Sequence, residues 1–320
     1  MTDSQSIGFG EVQSANIGII ATELANNLLR HATGGHLVLQ WLATERGDQF
    51  EILAVDRGPG MQNVSRCLQD GFTTAGTPGN GLGAVRRLSG EFDIYSVPSQ
   101  GTVVVSRVYS GNGASRSEES SFVRWGVYSR PIRGETVCGD AWRATAGPHS
   151  AGFMVCDGLG HGPVAAEAAK AVTDVYDRNP SASPEQFLEA AHRNASGSRG
   201  AAVAIAKLEP AGVVHFAGIG NISGILITGD STKSMVSHNG IVGAKIRRPQ
   251  TYDYFLPQNG LLIMFSDGLQ SRWSFEQYPG LQTCHPSIIA AVLARDLSRG
   301  HDDLTVLVSK SVQVTGKSHD

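Results

Sequence analysis

Apolar positions in this chain switch between helical and alternating periods, and the switches mark its elements. In "NIGIIATELANNLLRHA" (16–32), Ile20, Leu24 and Leu28 recur at helical spacing, and Gly34-Gly35 supplies the stop. Two apolar runs follow, "HLVLQWLA" and "FEILAVD", joined by "TERGDQ"; they predict an antiparallel hairpin. A glycine-rich stretch leads to a short helix, "LGAVRRLS", and then to a second hairpin, "EFDIYSV" with "TVVVSRVY". A helix on one face of a mostly antiparallel sheet is an α+β sandwich.

The pattern breaks at "SGNGASRSEESS" (110–121), small and polar without an apolar anchor, which reads as a flexible linker. Beyond it come strand candidates "FVRWGVYS", "GFMVCD", "AAVAIAKL", "GVVHFAGI", "SGILIT", "GLLIMFSD" and "LTVLVS". Helices "GPVAAEAAKAVTDVYD" and "SPEQFLEAAHRNA" fall between the early strands, and "HPSIIAAVLARDLS" precedes the last. Such an order predicts sheet packed on sheet with helices outside. The expected organisation is a first domain over 1–109, a linker over 110–121 and a second domain over 122–315. No internal repeat relates the two.

Composition adds mainly exclusions. A chain of 320 residues is long for one core, in keeping with two domains. At 41% hydrophobic, 17% charged and a net charge of −3, with Lys and Arg dispersed, it offers no basic face to nucleic acid. No apolar run approaches the ~20 residues of a membrane helix. The start, "MTDSQSIGFGE", has neither the basic opening nor the apolar core of a signal peptide. The four cysteines (Cys67, Cys138, Cys156, Cys284) form no CxxC, which argues against a disulfide framework or a zinc site. A cytoplasmic protein with reduced thiols is expected.

The chemistry gathers at strand ends. "VCDGLGHGPVAAEAAK" leaves Asp157 at the tip of an apolar strand, and "GLLIMFSDGL" repeats the design with Asp267 and Gly268. "RGHDDLTVLV" sets Asp302 and Asp303 before another strand, and "GETVCGDAW" places Asp140 after a glycine. Singly, Asp157 is as well read as a helix N-cap, Asp140 as a turn residue and "SDG" as a β-turn. Jointly and in order they point to a metal centre. Carboxylates brought together repel and raise one another's pKa unless a cation holds them. Mg²⁺ and Mn²⁺ take such oxygen ligands, and two ions can share a carboxylate. A glycine beside each Asp frees its carbonyl as a further ligand and lets substrate approach. Two ions about 3.5–4 Å apart would activate a bridging water for in-line attack on a phosphate ester.

These four segments resemble the successive motifs of the metal-dependent PPM protein phosphatases, in particular their bacterial SpoIIE/RsbX-like branch. The resemblance covers essentially everything after the linker. It implies a β-sandwich flanked by helices, with a two-ion Mn²⁺ or Mg²⁺ centre, cleaving phosphoserine or phosphothreonine. It further implies that Asp157 bridges both ions and that the Gly158 carbonyl binds one of them. Asp140 would serve the ion on the Gly158 side, and Asp267 and Asp302 the other. Asp303 stands where the family often has Asn, which implies a supporting role. His161 is a candidate proton donor to the leaving serine oxygen, since imidazole titrates near neutrality. Its spacing from Asp157 differs from that of the family's general acid, and a structural turn role is equally open. No arginine lies in an obvious phosphate-binding motif; Arg130 and Arg133 are candidates.

In the first half, "TELANN" sets Glu23 and Asn27 one above the other at i and i+4, a pattern a solvated helix face also shows. "AVDRGPGM" ends a strand with Asp56, Gly58 and Gly60, and "GTPGNGLGAVRRL" opens a helix with Gly79, Gly81 and Gly83. Glycine-rich turns into helix N-termini suit phosphate. A dinucleotide-fold reading is poor, because no predicted strand precedes Gly79. The three blocks together resemble the N, G1 and G2 boxes of the GHKL ATPase/kinase family. "DGFTTAGTPGNGLGAVRRLSGEFDI" resembles RsbT-type switch kinases, which phosphorylate STAS-domain partners.

That resemblance covers roughly residues 8–108 and implies an α/β sandwich binding ATP with Mg²⁺. Asn27 would coordinate the Mg²⁺, Glu23 would act as base, and Asp56 would bond the adenine amino group. Gly81 and Gly83 would form the phosphate lid, with His31 left to packing. Family members usually carry a further strand and helix before the segment that begins here near "GFGEVQ". The expectation is therefore a fold truncated at its start, with a sheet edge open to partners or to a homodimer.

The combined expectation is a bifunctional regulator of bacterial partner switching. One half phosphorylates and the other dephosphorylates a STAS-domain protein of the anti-sigma-factor-antagonist type. The alternative is a phosphatase carrying a non-catalytic nucleotide- or partner-binding sensor. A chain with neither half catalytic fits poorly, since no proposed ligand position is substituted.

Overall fold

A computed structural model describes residues 8–44, 47–68, 81–111, 121–229 and 231–312. The chain divides into two compact units, Met1–Glu118 together with Tyr278–Arg295, and Glu119–Gln277 together with Asp296–Asp320.

In the first unit, α1 (Glu11–His31) precedes the hairpin β1 (His36–Leu42) and β2 (Gln49–Val55). Two short helices follow, α2 (Val64–Cys67) and α3 (Gly81–Leu88), and then the hairpin β3 (Glu91–Ser96) and β4 (Thr102–Tyr109). The antiparallel sheet runs β1-β2-β4-β3. Ile17, Ile20 and Leu24 of α1 and Val85 of α3 bury against Ile52, Ala54, Val104 and Val108 of the two central strands. α1 begins five residues before the stretch 16–32 that the apolar period marks. Its first turn is polar, but Glu11 there suits the positive end of the helix dipole.

The sheet also carries a buried charge. Glu51 is 0% exposed and accepts from Arg107 Nε at 2.5 Å and from the Ser287 hydroxyl at 2.7 Å. Ser287 belongs to α6 (Pro286–Leu297), most of which lies in the first unit although the sequence reading assigns the whole helix to the domain over 122–315. Ile288–Leu293 are buried all round, as expected of a helix with no polar face.

The second unit is a sandwich of two five-stranded antiparallel sheets. One runs β11 (Ser231–Ser234), β10 (Ser223–Thr228), β13 (Leu261–Phe265), β14 (Leu304–Ser311), β5 (Val123–Arg130). The other runs β12 (Tyr252–Phe255), β9 (Val213–Ile219), β8 (Ala201–Leu208), β7 (Ala151–Gly158), β6 (Asp140–Ala146). Helices α4 (Gly162–Arg178) and α5 (Pro184–Asn194) bury Val172, Tyr176, Phe187 and Leu188 against Met154, Cys156, Val203 and Ile205 of the second sheet. Trp125 of β5 meets Trp142 of β6 with ring centroids 5.8 Å apart. The fold is α+β throughout. Strands β6, β11 and β12 have no counterpart among the sequence-predicted elements; each lies at a sheet edge, half or wholly exposed, where alternation carries little signal. No helix of the described residues is long and apolar enough to cross a membrane.

Candidate metal centre and nucleotide site

Strands β6 and β7 pair so that Asp140 stands directly opposite Asp157. Asp140 is only 6% exposed. Its Oδ2 accepts a 2.6 Å hydrogen bond from Ser266 Oγ, while its Oδ1 is buried without a partner among the described residues. Burial, eased by Ser266 and Thr305 and reinforced by Asp303 and Asp302, pushes the Asp140 carboxyl up to about 7. Asp157 rises to about 8, first through burial and then through Asp140, Asp267, Asp302 and Asp303. Asp267 is also raised, by burial and Asp302, against the pull of Arg299 and a 2.7 Å hydrogen bond from Asn221 Nδ2. Carboxylates from separate strand ends and loops thus feel one another's charge.

Asp303 does something else. Its Oδ1 accepts from the Ile132 amide at 2.7 Å and its Oδ2 from the Gly139 amide at 2.8 Å. Both oxygens are engaged in holding the loop that delivers Asp140. Asp157 does not cap the following helix, for it lies within β7, and the N-cap of α4 is His161. That imidazole makes no capping bond; its Nδ1 pairs instead with Glu135 Oε1 at 2.8 Å. Arg130 is held by Ser298 Oγ at 3.0 Å, and Arg133 lies in the exposed turn after β5.

Beside the aspartates, the glycines have a packing reason stronger than the one expected. A Cβ on Gly158 would strike the Ala165 carbonyl, and one on Gly268 the Asp303 carbonyl. At Gly139 it would stand 2.7 Å from both the Ala165 Cβ and Asp303 Oδ2. Helix α4 and the Asp302–Asp303 loop therefore press onto the backbone that carries the acidic side chains.

The residues fit divalent ions. An orphaned buried carboxylate oxygen and mutually raised carboxyls are what a cation would relieve. Among the described residues no three His, Cys, Asp or Glu groups close into a tight cage. A hydrated Mg²⁺-type ion needs only one or two carboxylates. Ser266, Asn221, Thr305 and Glu135 were not foreseen. Ser266 adjoins Asp267 in "FSDG", and Asn221 lies in the turn between β9 and β10 in "GIGN", another polar group close to a strand end.

In the first unit, Gly81 opens α3 against Glu23 and Asn27: its Cβ would lie 2.9 Å from Glu23 Oε2 and 3.8 Å from Asn27 Oδ1. Asn27 Nδ2 is buried with no partner among the described residues, a donor that a ligand would satisfy. Asp56 Oδ1 accepts from the Gly58 amide at 2.6 Å and the Thr102 amide at 3.2 Å, fixing the carboxylate at the strand end. A Cβ on Gly58 would come 2.8 Å from the His31 carbonyl, so His31 meets this loop through its backbone. One on Gly60 would collide with the Val97 carbonyl. Gly81 and Gly83 lie in the first turn of α3, with Gly83 buried. Gly79 lies outside the described residues.

Comparison with known proteins agrees with both halves. The family model for Stage II sporulation protein E (SpoIIE) matches residues 147–311, more than half of the chain. The histidine kinase-like ATPase domain model matches residues 3–107. Serine/threonine-protein kinase RsbT of Bacillus subtilis (strain 168) is 36% identical over 101 residues, 32% of this chain and 76% of that protein. Phosphoserine phosphatase RsbX of the same organism is 26% identical over 155 residues, 48% of this chain and 77% of that protein. A crystal structure of RsbX in complex with magnesium has the same fold as the second unit, with a TM-score of 0.50 at 22% identity over 59% of this chain and 94% of that one. The chain belongs to the SpoIIE family of PPM-type serine/threonine phosphatases and carries, ahead of that domain, a histidine kinase-like ATPase domain related to the RsbT kinase.

Proposed function

We propose that the chain is a two-way switch on a partner protein of the STAS-domain, anti-sigma-factor-antagonist type. The second half removes phosphate from serine or threonine, and the first half adds it from ATP. The observation that carries the reading is the opposed pair of buried Asp140 and half-buried Asp157, both raised, with one Asp140 carboxylate oxygen left without a partner among the described residues. Asp140, Asp157, the Gly158 carbonyl, Asp267 and Asp302 would hold two Mg²⁺ or Mn²⁺ ions. Bound ions would supply the positive charge that hydrolysis of a phosphate dianion requires. Ser266 orients Asp140 and Asn221 orients Asp267. His161, steadied through Nδ1 by Glu135, keeps Nε2 to give a proton to the leaving serine oxygen.

In the first half, Asn27 would bind the Mg²⁺ of Mg-ATP and Asp56 the adenine amino group. Glu23, beside Asn27 at the opening of α3, would take the proton of the target hydroxyl. Covalent fusion of the two halves would raise the effective concentration of one bound partner at each site.

The test is the purified full chain with ATP, Mg²⁺ or Mn²⁺ and a candidate STAS-domain protein. Phosphate transfer onto that protein and its release are expected; neither occurring overturns the reading. In the alternative, the first half binds nucleotide without transferring phosphate. Glu23→Ala separates the two, since a sensor keeps its function and a kinase loses transfer.

A further inference from the structure

We propose that Arg199 is the phosphate-orienting residue of the phosphatase site, a position no sequence motif marks. The proposal rests on the phosphatase reading above and adds to it a group that recognises the substrate.

The geometry comes from strand register. The start of β8 pairs with the end of β7, Ala202 opposite Asp157 and Ala201 opposite Gly158. The pairing continues past the strand ends, for the Leu159 amide donates to the Gly200 carbonyl at 3.0 Å. One residue further, the antiparallel register brings Arg199 to Gly160. The guanidinium is there: a Cβ on Gly160 would lie 2.9 Å from Arg199 Nη1. Gly160, at φ +95°, adopts a backbone that disfavours any other residue, and the missing side chain leaves the space the guanidinium uses. The Gly160 carbonyl approaches Gly139, 3.5 Å from where a Cβ there would stand, immediately before Asp140. The Arg199 charge thus sits on the short loop between β7 and α4, which follows Asp157 and approaches the Asp140 loop at Gly139.

Two other arginines near the centre are occupied, while Arg133 lies in the exposed turn after β5. Arg130 donates to Ser298, and Arg299 donates to the Leu269 carbonyl while acting on Asp267. Arg199 is exposed, and among the described residues no carboxylate or carbonyl engages it. Charge supplies the need. A phosphomonoester arrives as a dianion at a cluster of five aspartates, so a cation at the rim offsets repulsion that the buried carboxylates create. A guanidinium presents two parallel N–H groups to two phosphate oxygens, which an ammonium cannot match. The ligand class is the phosphomonoester dianion, and by the same chemistry its product, inorganic phosphate.

The experiment compares wild type, Arg199→Ala and Arg199→Lys in the full chain loaded with Mn²⁺. p-Nitrophenyl phosphate is the substrate and inorganic phosphate the ligand, with phosphate and Mn²⁺ binding measured by calorimetry. Arg199→Ala is expected to raise KM about tenfold or more and to weaken phosphate binding by a similar factor. Mn²⁺ affinity should stay within about twofold, and Lys should restore only part of the loss. Unchanged KM and phosphate affinity overturn the proposal. So does a parallel fall in Mn²⁺ affinity, which would make Arg199 a support of the metal loops. A wild type that binds Mn²⁺ yet hydrolyses nothing sinks the phosphatase reading itself, whereas an active wild type with an indifferent Arg199→Ala sinks this proposal alone.

Discussion

Asp140 and Asp157 face one another across the β6–β7 ladder, and among the described residues neither forms an ion pair. Folding alone does not favour such a pair, because each carboxylate raises the cost of ionising the other. Asp157→Asn and Asp267→Asn should therefore abolish p-nitrophenyl phosphate hydrolysis, by on the order of 10³-fold or more, since several kcal/mol of charge stabilisation goes with the ions. Stability should change little, because relief of repulsion offsets what ion binding contributed. Circular dichroism melts beside turnover measurements check both halves of the expectation. A folded variant with near-normal turnover would refute the ligand assignment.

The same two groups set a pH dependence with a definite sign. Unfolded, both carboxyls titrate near ~3.9; folded, Asp140 titrates at about 7 and Asp157 at about 8. The folded chain then binds more protons in between, so unfolding free energy falls as pH rises. This contribution is fully present below about pH 4 and is lost as pH climbs through about 7 and 8. With a chelator present, the urea midpoint should be lower at pH 8.5 than at pH 5.5, and Asp157→Asn should flatten the difference. Mn²⁺ should restore the midpoint chiefly at the alkaline end, where the ligands are deprotonated. A midpoint that rises with pH in the chelated protein would contradict the shifts.

Gly158 tests whether packing or chemistry selected the glycine. A Cβ there meets the Ala165 backbone, which cannot swing aside as a side chain can. Gly158→Ala should destabilise the second unit by about 3 kcal/mol, at the upper end of overpacking costs, by forcing α4 off the strand. Denaturation midpoints with chelator present isolate this effect from ion binding. An unchanged midpoint with lost Mn²⁺ affinity would return Gly158 to the ligand role alone.

How much of this was legible follows from what each signal depends on. The hairpins of the first unit and α4 announce themselves through period and flanking glycines. Strands β6, β11 and β12 do not, since "DAWRATA", "STKS" and "YDYF" are edge strands with few residues to bury. An apolar run such as "SIIAAVLA" shows that α6 is buried without showing in which unit. The acidic residues were readable because a carboxylate at an apolar strand tip is locally conspicuous. Ser266 and Asn221 were not, as short polar groups near turns are common, and Arg199 reaches the site through strand register alone.

The proposed nucleotide site turns on Asn27, whose buried Nδ2 lacks a partner among the described residues and lies beside Glu23 and the first residue of α3. Asn27→Ala should weaken Mg-ATP binding about tenfold by calorimetry, with stability unchanged or slightly raised because a buried unsatisfied donor is removed. Glu23→Ala should leave nucleotide affinity within a few-fold and stop transfer to a partner. Unaltered Mg-ATP affinity in Asn27→Ala would reduce Asn27 to a structural residue.

Ser266 offers the sharpest test of how the proposed metal site is held. Its hydroxyl donates to Asp140 Oδ2 at 2.6 Å and accepts from the Thr305 amide at 3.0 Å, tying β14 to the acidic pair. Ser266→Ala leaves a buried carboxylate oxygen and a buried amide each without this partner, at a cost of about 1–3 kcal/mol. Ligand orientation of this kind is worth roughly 10–100-fold in metal affinity. Calorimetric Mn²⁺ titration should show that loss, with kcat at saturating Mn²⁺ falling less than KM for the metal rises. Ser309→Ala is the control: on the same strand β14, its buried Oγ has no hydrogen-bond partner among the described residues. That variant should leave both stability and Mn²⁺ affinity near wild type. Equal effects from the two substitutions would mean that Ser266 acts through packing, and Asp140 would then be oriented by its strand position alone.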